Sequence, residues 1–118
     1  HEDLVRDGSN LLHEYYISLP DAAMGTSIDV PTLEGKARVK VPAGTQSGKV
    51  FRLRGKGLPS VNSYGHGDLL VNVNVWTPKK LNNEEKELME KLSKSENFKP
   101  QPSKRDKNFF DRMRQYFE

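Results

Sequence analysis

Residues 11–19, L-L-H-E-Y-Y-I-S-L, alternate so that Leu11, Tyr15, Ile17 and Leu19 share one face with His13, opposite Leu12, Glu14, Tyr16 and Ser18. That period predicts a half-buried β-strand. The same alternation returns at 36–41, with Ala37, Val39 and Val41 facing in, and at 50–54, with Phe51 and Leu53 in and Arg52 and Arg54 out. It returns again at 68–76, with Leu69, Val71, Val73 and Val75 in and Asn72 and Asn74 out. Residues 27–30 read as a further short strand.

Turn signals separate these strands. Arg6-Asp7-Gly8-Ser9-Asn10 predicts a hairpin, residues 20–25 (P-D-A-A-M-G) a single helical turn closed by glycine, and Leu33-Glu34-Gly35 a second turn. Gly44, Gly48, Gly55, Gly57 and Gly67 punctuate V-P-A-G-T-Q-S-G-K-V-F-R-L-R-G-K-G-L-P and the later G-H-G-D-L-L. Such glycines serve positions needing positive φ or close backbone approach. Many short strands with polar turns predict an antiparallel β-sandwich with one short helical turn.

After Pro78 the pattern changes. Residues 82–95 predict a helix with Asn82 as N-cap, Glu85 completing a capping box, and Leu88 and Leu92 paired at i, i+4. The linker Lys99-Pro100-Gln101-Pro102 leads to a second helix starting at Ser103. It carries Phe109, Phe110, Met113, Tyr116 and Phe117 along one stripe, too much apolar surface to leave in water. The expected organisation is a β-sandwich domain over 1–78 and a helical segment over 79–118.

Composition narrows the function classes. With 118 residues and 34% hydrophobic content, one thin two-layer domain is affordable but a thick core is not. The chain has no cysteine, which removes disulfides, thiolate chemistry and cysteine-ligated zinc. No run reaches the roughly 20 apolar residues of a membrane helix. The chain starts at His1 with no signal-like segment and reads as a piece of a longer protein.

The net charge of +3 is unevenly placed, since 1–78 carries eight basic and eight acidic residues while 79–118 carries eleven and eight. Within the first part, Lys36, Arg38, Lys40, Arg52 and Arg54 fall in a stretch free of acids between Glu34 and Asp68. They suggest a basic face, which is either a solvated sheet surface or a contact for an acidic peptide or nucleic acid. No surface aromatics interleave with them as base stacking requires, which counts against nucleic acid.

Candidate chemistry is sparse. Gly55-Lys56-Gly57 has a phosphate-loop flavour, but it follows a strand and meets Leu58-Pro59 where a Walker loop opens a helix, so it reads as a bulge and turn. His1, His13 and His66 lack metal-ligand spacing, and no Ser, His and Asp share a nucleophile frame. Asp68 reads as closing a turn or a backbone hydrogen bond. No catalytic residue, metal or cofactor is expected.

The runs R-D-G-S-N-L at 6–11, P-T-L at 31–33, F-R-L-R-G-K-G-L-P at 51–59 and G-D-L-L at 67–70 resemble the second C-terminal β domain of a DnaJ-type J-domain co-chaperone. The likeness covers about residues 1–95 and extends over the aromatic tail. In that family, two β domains hold non-native polypeptide and a C-terminal helix joins two arms. A separate J domain with a His-Pro-Asp motif stimulates the DnaK-type partner, and a cysteine-rich region binds zinc. This chain has neither feature, so the resemblance implies no ATPase stimulation and no zinc here.

What the resemblance implies is a non-enzymatic, cytoplasmic chaperone fragment that binds unfolded polypeptide and forms a homodimer. A DnaK-type partner is engaged through the full-length protein. The expected peptide site is the strand edge at Thr26, Ser27, Ile28 and Val30 with Phe51 and Leu53 beneath, by analogy with a sister domain. The expected dimerisation residues are Leu81, Leu88, Met89, Leu92, Phe109, Phe110, Met113, Tyr116 and Phe117. The competing reading is a basic β adaptor for nucleic acid or ribosome.

Overall fold

The computed structural model describes residues 4–59 and 65–102. Strand β1 (Leu4–Asp7) turns back into β2 (Asn10–Ser18), pairing antiparallel from Leu4↔His13 to Asp7↔Asn10. The two-residue loop is Gly8-Ser9, the hairpin expected from residues 6–10.

Helix α1 (Leu19–Met24) follows at once. Ser18 caps it by accepting the Asp21 N–H at 3.1 Å, Pro20 lies in its first turn, and Ala22 is buried. Gly25 ends it with φ 89°, and a Cβ there would lie 3.0 Å from the Ala43 nitrogen. Both the backbone angle and the space therefore favour glycine at this corner.

Strands β3 (Thr26–Thr32) and β4 (Gly35–Val41) form an antiparallel two-stranded sheet. Strand β3 is longer than the four residues expected from its sequence. Strands β5 (Lys49–Leu53) and β6 (Leu69–Trp76) complete the other sheet, a four-stranded one in the order β1-β2-β6-β5.

The inward positions are those the alternation predicts. Leu11 and Ile17 of β2 and Leu69, Val71 and Val73 of β6 meet Ile28 and Val30 of β3 and Val39 and Val41 of β4, with Ala22, in one buried cluster. Two sheets sharing one such cluster make the expected sandwich. Each fully buried aliphatic side chain contributes about 1.5–3 kcal/mol.

One pairing departs from the antiparallel expectation. β2 and β6 run parallel, in register from Leu11↔Leu69 to Ser18↔Trp76. Parallel neighbours need a crossover, supplied here by α1, the β3–β4 hairpin and β5. Alternation marks which face of a strand is buried but carries no direction, so the sequence pattern is the same either way.

The chain divides into two compact units between Thr77 and Pro78. In the second, helix α2 (Asn83–Ser93) begins with the expected capping box. Asn82 Oδ1 accepts the Glu85 N–H and Glu85 Oε1 accepts the Asn82 N–H, each at 2.8 Å. A short 3₁₀ turn, Glu96–Phe98, follows. No residue of α2 is buried, and Leu88, Met89 and Leu92 are 55%, 37% and 40% exposed.

Candidate functional site

The glycine-rich signature is a backbone clamp. Leu58 N–H donates to the Ser9 carbonyl at 2.7 Å, Gly57 N–H to Gly67 at 2.8 Å, and Gly67 N–H to Leu58 at 2.7 Å. The three segments pack so closely that a Cβ on Gly57 would lie 2.6 Å from both the Asp68 and Ser9 oxygens, and one on Gly67 would overlap Ser9. Gly44, Gly48 and Gly55 instead have positive φ, so the five glycines divide between the two expected reasons.

Asp68 completes the clamp. Its carboxylate accepts from Arg52 Nη1 and from the Gly55 N–H, each at 3.0 Å, while its own N–H donates to Asn10 Oδ1 at 2.7 Å. One acid thus ties β5, the turn after it and the β1–β2 hairpin to the start of β6. Lys56 lies 3.9 Å from Glu34, an exposed pair. The N–H groups of Gly55, Lys56 and Gly57 all donate to protein oxygens, those of Asp68, Leu53 and Gly67.

The expected peptide-site residues lie on both sheets. β3 pairs only with β4, so its other edge is unpaired among the described strands. Ser27 on that strand is exposed and Thr26 half-buried. Ile28 and Val30, at 7% and 0% exposure, belong to the core and offer no surface of their own. Phe51 and Leu53 pack partly buried against the same cluster from β5.

Phe51 also opens onto a cleft of about 420 Å³ walled by Pro42, Ala43, Gln46 and Lys49. Its loop is pinned: Gly48 N–H donates to the Val73 carbonyl at 2.8 Å and Val75 N–H to Ser47 Oγ at 2.9 Å. Gly44 N–H donates to the Ala22 carbonyl at 2.8 Å. In the sequence this stretch is marked only by its punctuating glycines, Gly44 and Gly48. The signal for more was Pro42 and Ala43 beside polar side chains that hydrogen-bond locally, as Thr45 does to the Pro42 carbonyl at 2.6 Å.

The expected single basic face is corrected to two. Lys36, Arg38 and Lys40 alternate with the buried side of β4 and so occupy the outer face of the two-stranded sheet. Arg52 lies on the outer face of the other sheet and is paired with Asp68. Arg54 is exposed in the turn past the end of β5. Cations alternating with core residues point away from the core, and the core lies between the sheets.

Of the expected dimerisation residues, Leu88, Met89 and Leu92 form an exposed stripe on α2 and Leu81 is half-buried before it. Phe109, Phe110, Met113, Tyr116 and Phe117 lie outside the described residues. Among the described residues no cluster of His, Asp and Glu has the makings of a metal site, and no helix is long and apolar enough to cross a membrane.

Comparison with known proteins matches the sequence that builds this clamp to a family. The family model described as "DnaJ C terminal domain" covers residues 1–78. Chaperone protein DnaJ of Bacteroides fragilis is 52% identical over 118 residues, and that of Bacteroides thetaiotaomicron 49%, in each case across 100% of this chain and 30% of the relative. The Haloarcula marismortui protein of the same name is 53% identical over 95 residues, 80% of this chain and 25% of the relative. The chain spans about 30% of the length of the first two relatives. With its sandwich coextensive with the matched region and the glycine clamp inside it, this chain belongs to the DnaJ C-terminal domain family.

Proposed function

We propose that this chain is the non-enzymatic client-binding and dimerisation portion of a cytoplasmic protein-folding chaperone. Its full-length form, on this reading, delivers clients to a DnaK-type partner. The observation that carries client binding is the unpaired edge of β3. Unpaired backbone groups on an edge strand can accept an added strand from an extended polypeptide, a mode that reads backbone more than sequence. The burial of Ile28 and Val30 means that capture there rests on main-chain hydrogen bonds, with Thr26 and Ser27 at the surface.

Titrating the labelled chain with an extended hydrophobic peptide tests this reading by NMR. The amides of 26–30 shift if the edge is the site. Shifts confined to 43–49 move the site to the Phe51 cleft, and an unchanged spectrum removes client binding from this domain.

Dimerisation rests on the exposed α2 stripe. An isologous pairing would cover Leu88, Met89 and Leu92 on both copies. Light scattering on the intact chain gives a dimer mass on this reading. A monomer mass well above micromolar concentration rejects it.

A further inference from the structure

The outer face of the four-stranded sheet carries an arrangement that the client-edge reading leaves unused. Strand register places Glu14 beside Asn72, Tyr16 beside Asn74, and Leu12 beside Leu70, with Val50 flanking Asn72 from the other side. Asn72 Nδ2 donates to both Glu14 oxygens at 3.1 and 3.0 Å, and Asn74 Nδ2 donates to Oε2. Tyr16 is 63% exposed and meets Trp76 edge-on, with ring centroids 6.2 Å apart.

The amides hold Glu14 in one pose at a cost. Asn72 Oδ1 is buried with no hydrogen-bond partner among the described residues. Asn72 therefore keeps its donor on the carboxylate while its acceptor goes unmet, an orientation that the charge of Glu14 explains. Among the described residues no cation lies within ion-pair distance of Glu14. Arg52, the described cation on this face, is committed to Asp68.

A fixed, exposed and uncompensated carboxylate among apolar side chains is complementary to a cation with apolar neighbours. Both amides present N–H groups here, so the oxygen set that a bare metal ion needs is missing. An ammonium or guanidinium needs only a remaining lone pair, and the Tyr16 ring two residues along the strand adds a cation–π contact.

We propose that this face docks a partner polypeptide that presents a lysine or arginine between apolar side chains. The cation sits on Glu14 against Tyr16, and its neighbours pack on Trp76 at one end and on Val50 and Leu70 at the other. Because the amides already order the carboxylate, little side-chain freedom is lost on binding. The site lies on the opposite sheet from β3 and does not depend on client capture there.

The test is an NMR titration of the full labelled chain with a blocked peptide of alternating leucine and lysine, and with its leucine–glutamate counterpart. The side-chain amide signals of Asn72 and Asn74 and the backbone amides of Glu14 and Tyr16 shift with the lysine peptide and stay still with the glutamate one. Glu14→Gln weakens binding about fivefold, the scale of an exposed ion pair. Tyr16→Leu, which leaves the Glu14 network in place, weakens it roughly threefold. Equal response to both peptides, unaltered binding by Glu14→Gln, or shifts confined to 26–30 overturns the proposal. Shifts of the Glu14, Tyr16, Asn72 and Asn74 signals that grow with protein concentration in the absence of peptide also overturn it, by assigning the face to a second copy.

Discussion

The backbone of Ser9 occupies the space that a side chain on Gly67 would need. Ser9 lies in the first hairpin loop and Gly67 just before β6, so their contact fixes where the hairpin meets the parallel strand. The requirement is for absent volume, not an unusual backbone angle: Gly67 is not among the positive-φ glycines.

Gly67→Ala is therefore expected to destabilise the domain by roughly 1–3 kcal/mol through overpacking. Gly44→Ala, where nothing lies within 4 Å but φ is 83°, should cost about 1 kcal/mol from strain alone. Urea unfolding checks the order of the two midpoints at unchanged slope. Equal losses would show that the Ser9 contact yields easily.

At the Asp68 node the two ends of the ion pair should behave unequally. Arg52→Gln removes an arginine that is 53% exposed and should cost under about 1 kcal/mol. Asp68→Ala also strips the acceptor from Gly55 N–H and should cost roughly 1–3 kcal/mol. Denaturation of both variants decides, and matching losses would mean the backbone bond contributes little.

Asn82→Ala removes the oxygen that accepts the Glu85 N–H and should cost about 1 kcal/mol of helix stability. Far-UV circular dichroism should show reduced helix content, with the strand signal unchanged.

Leu88→Asp places a charge in the exposed α2 stripe. The expected result is weaker self-association by light scattering with the β-sheet spectrum intact, and a chain ending at Pro78 should be a folded monomer. A dimer mass for that shorter chain would place the interface on the sandwich.

Much of the fold was legible because period-two alternation reports burial directly. The inward sets of β2, β4 and β6 are as the pattern gave them, and the Asn82–Glu85 box marked the start of α2. Strand direction was not legible, since Leu69 to Trp76 alternates identically whether β2 runs parallel or antiparallel to it. The basic set misled for a related reason: Lys40 and Arg52 are close in sequence and equally outward, yet the core separates their sheets. Ile28 and Val30 were expected at the peptide edge, but their burial removes them from any surface, and only packing reveals that. The Glu14–Asn72–Asn74 group joins residues 58 and 60 positions apart, a distance at which residue type alone gives no cue.

The parallel pairing of β2 and β6 also sets the order in which this domain can be assembled. Both hairpins close over short loops, but the central seam must wait for a strand whose Asn72 lies 58 residues beyond Glu14. Non-local closure of this kind slows folding, because chain entropy is lost before the contacts that reward it exist. During synthesis the first hairpin has its inner edge open until β6 emerges. A nascent copy of this chain therefore passes through a state with unpaired strand and uncovered valines, the kind of surface that is prone to aggregate.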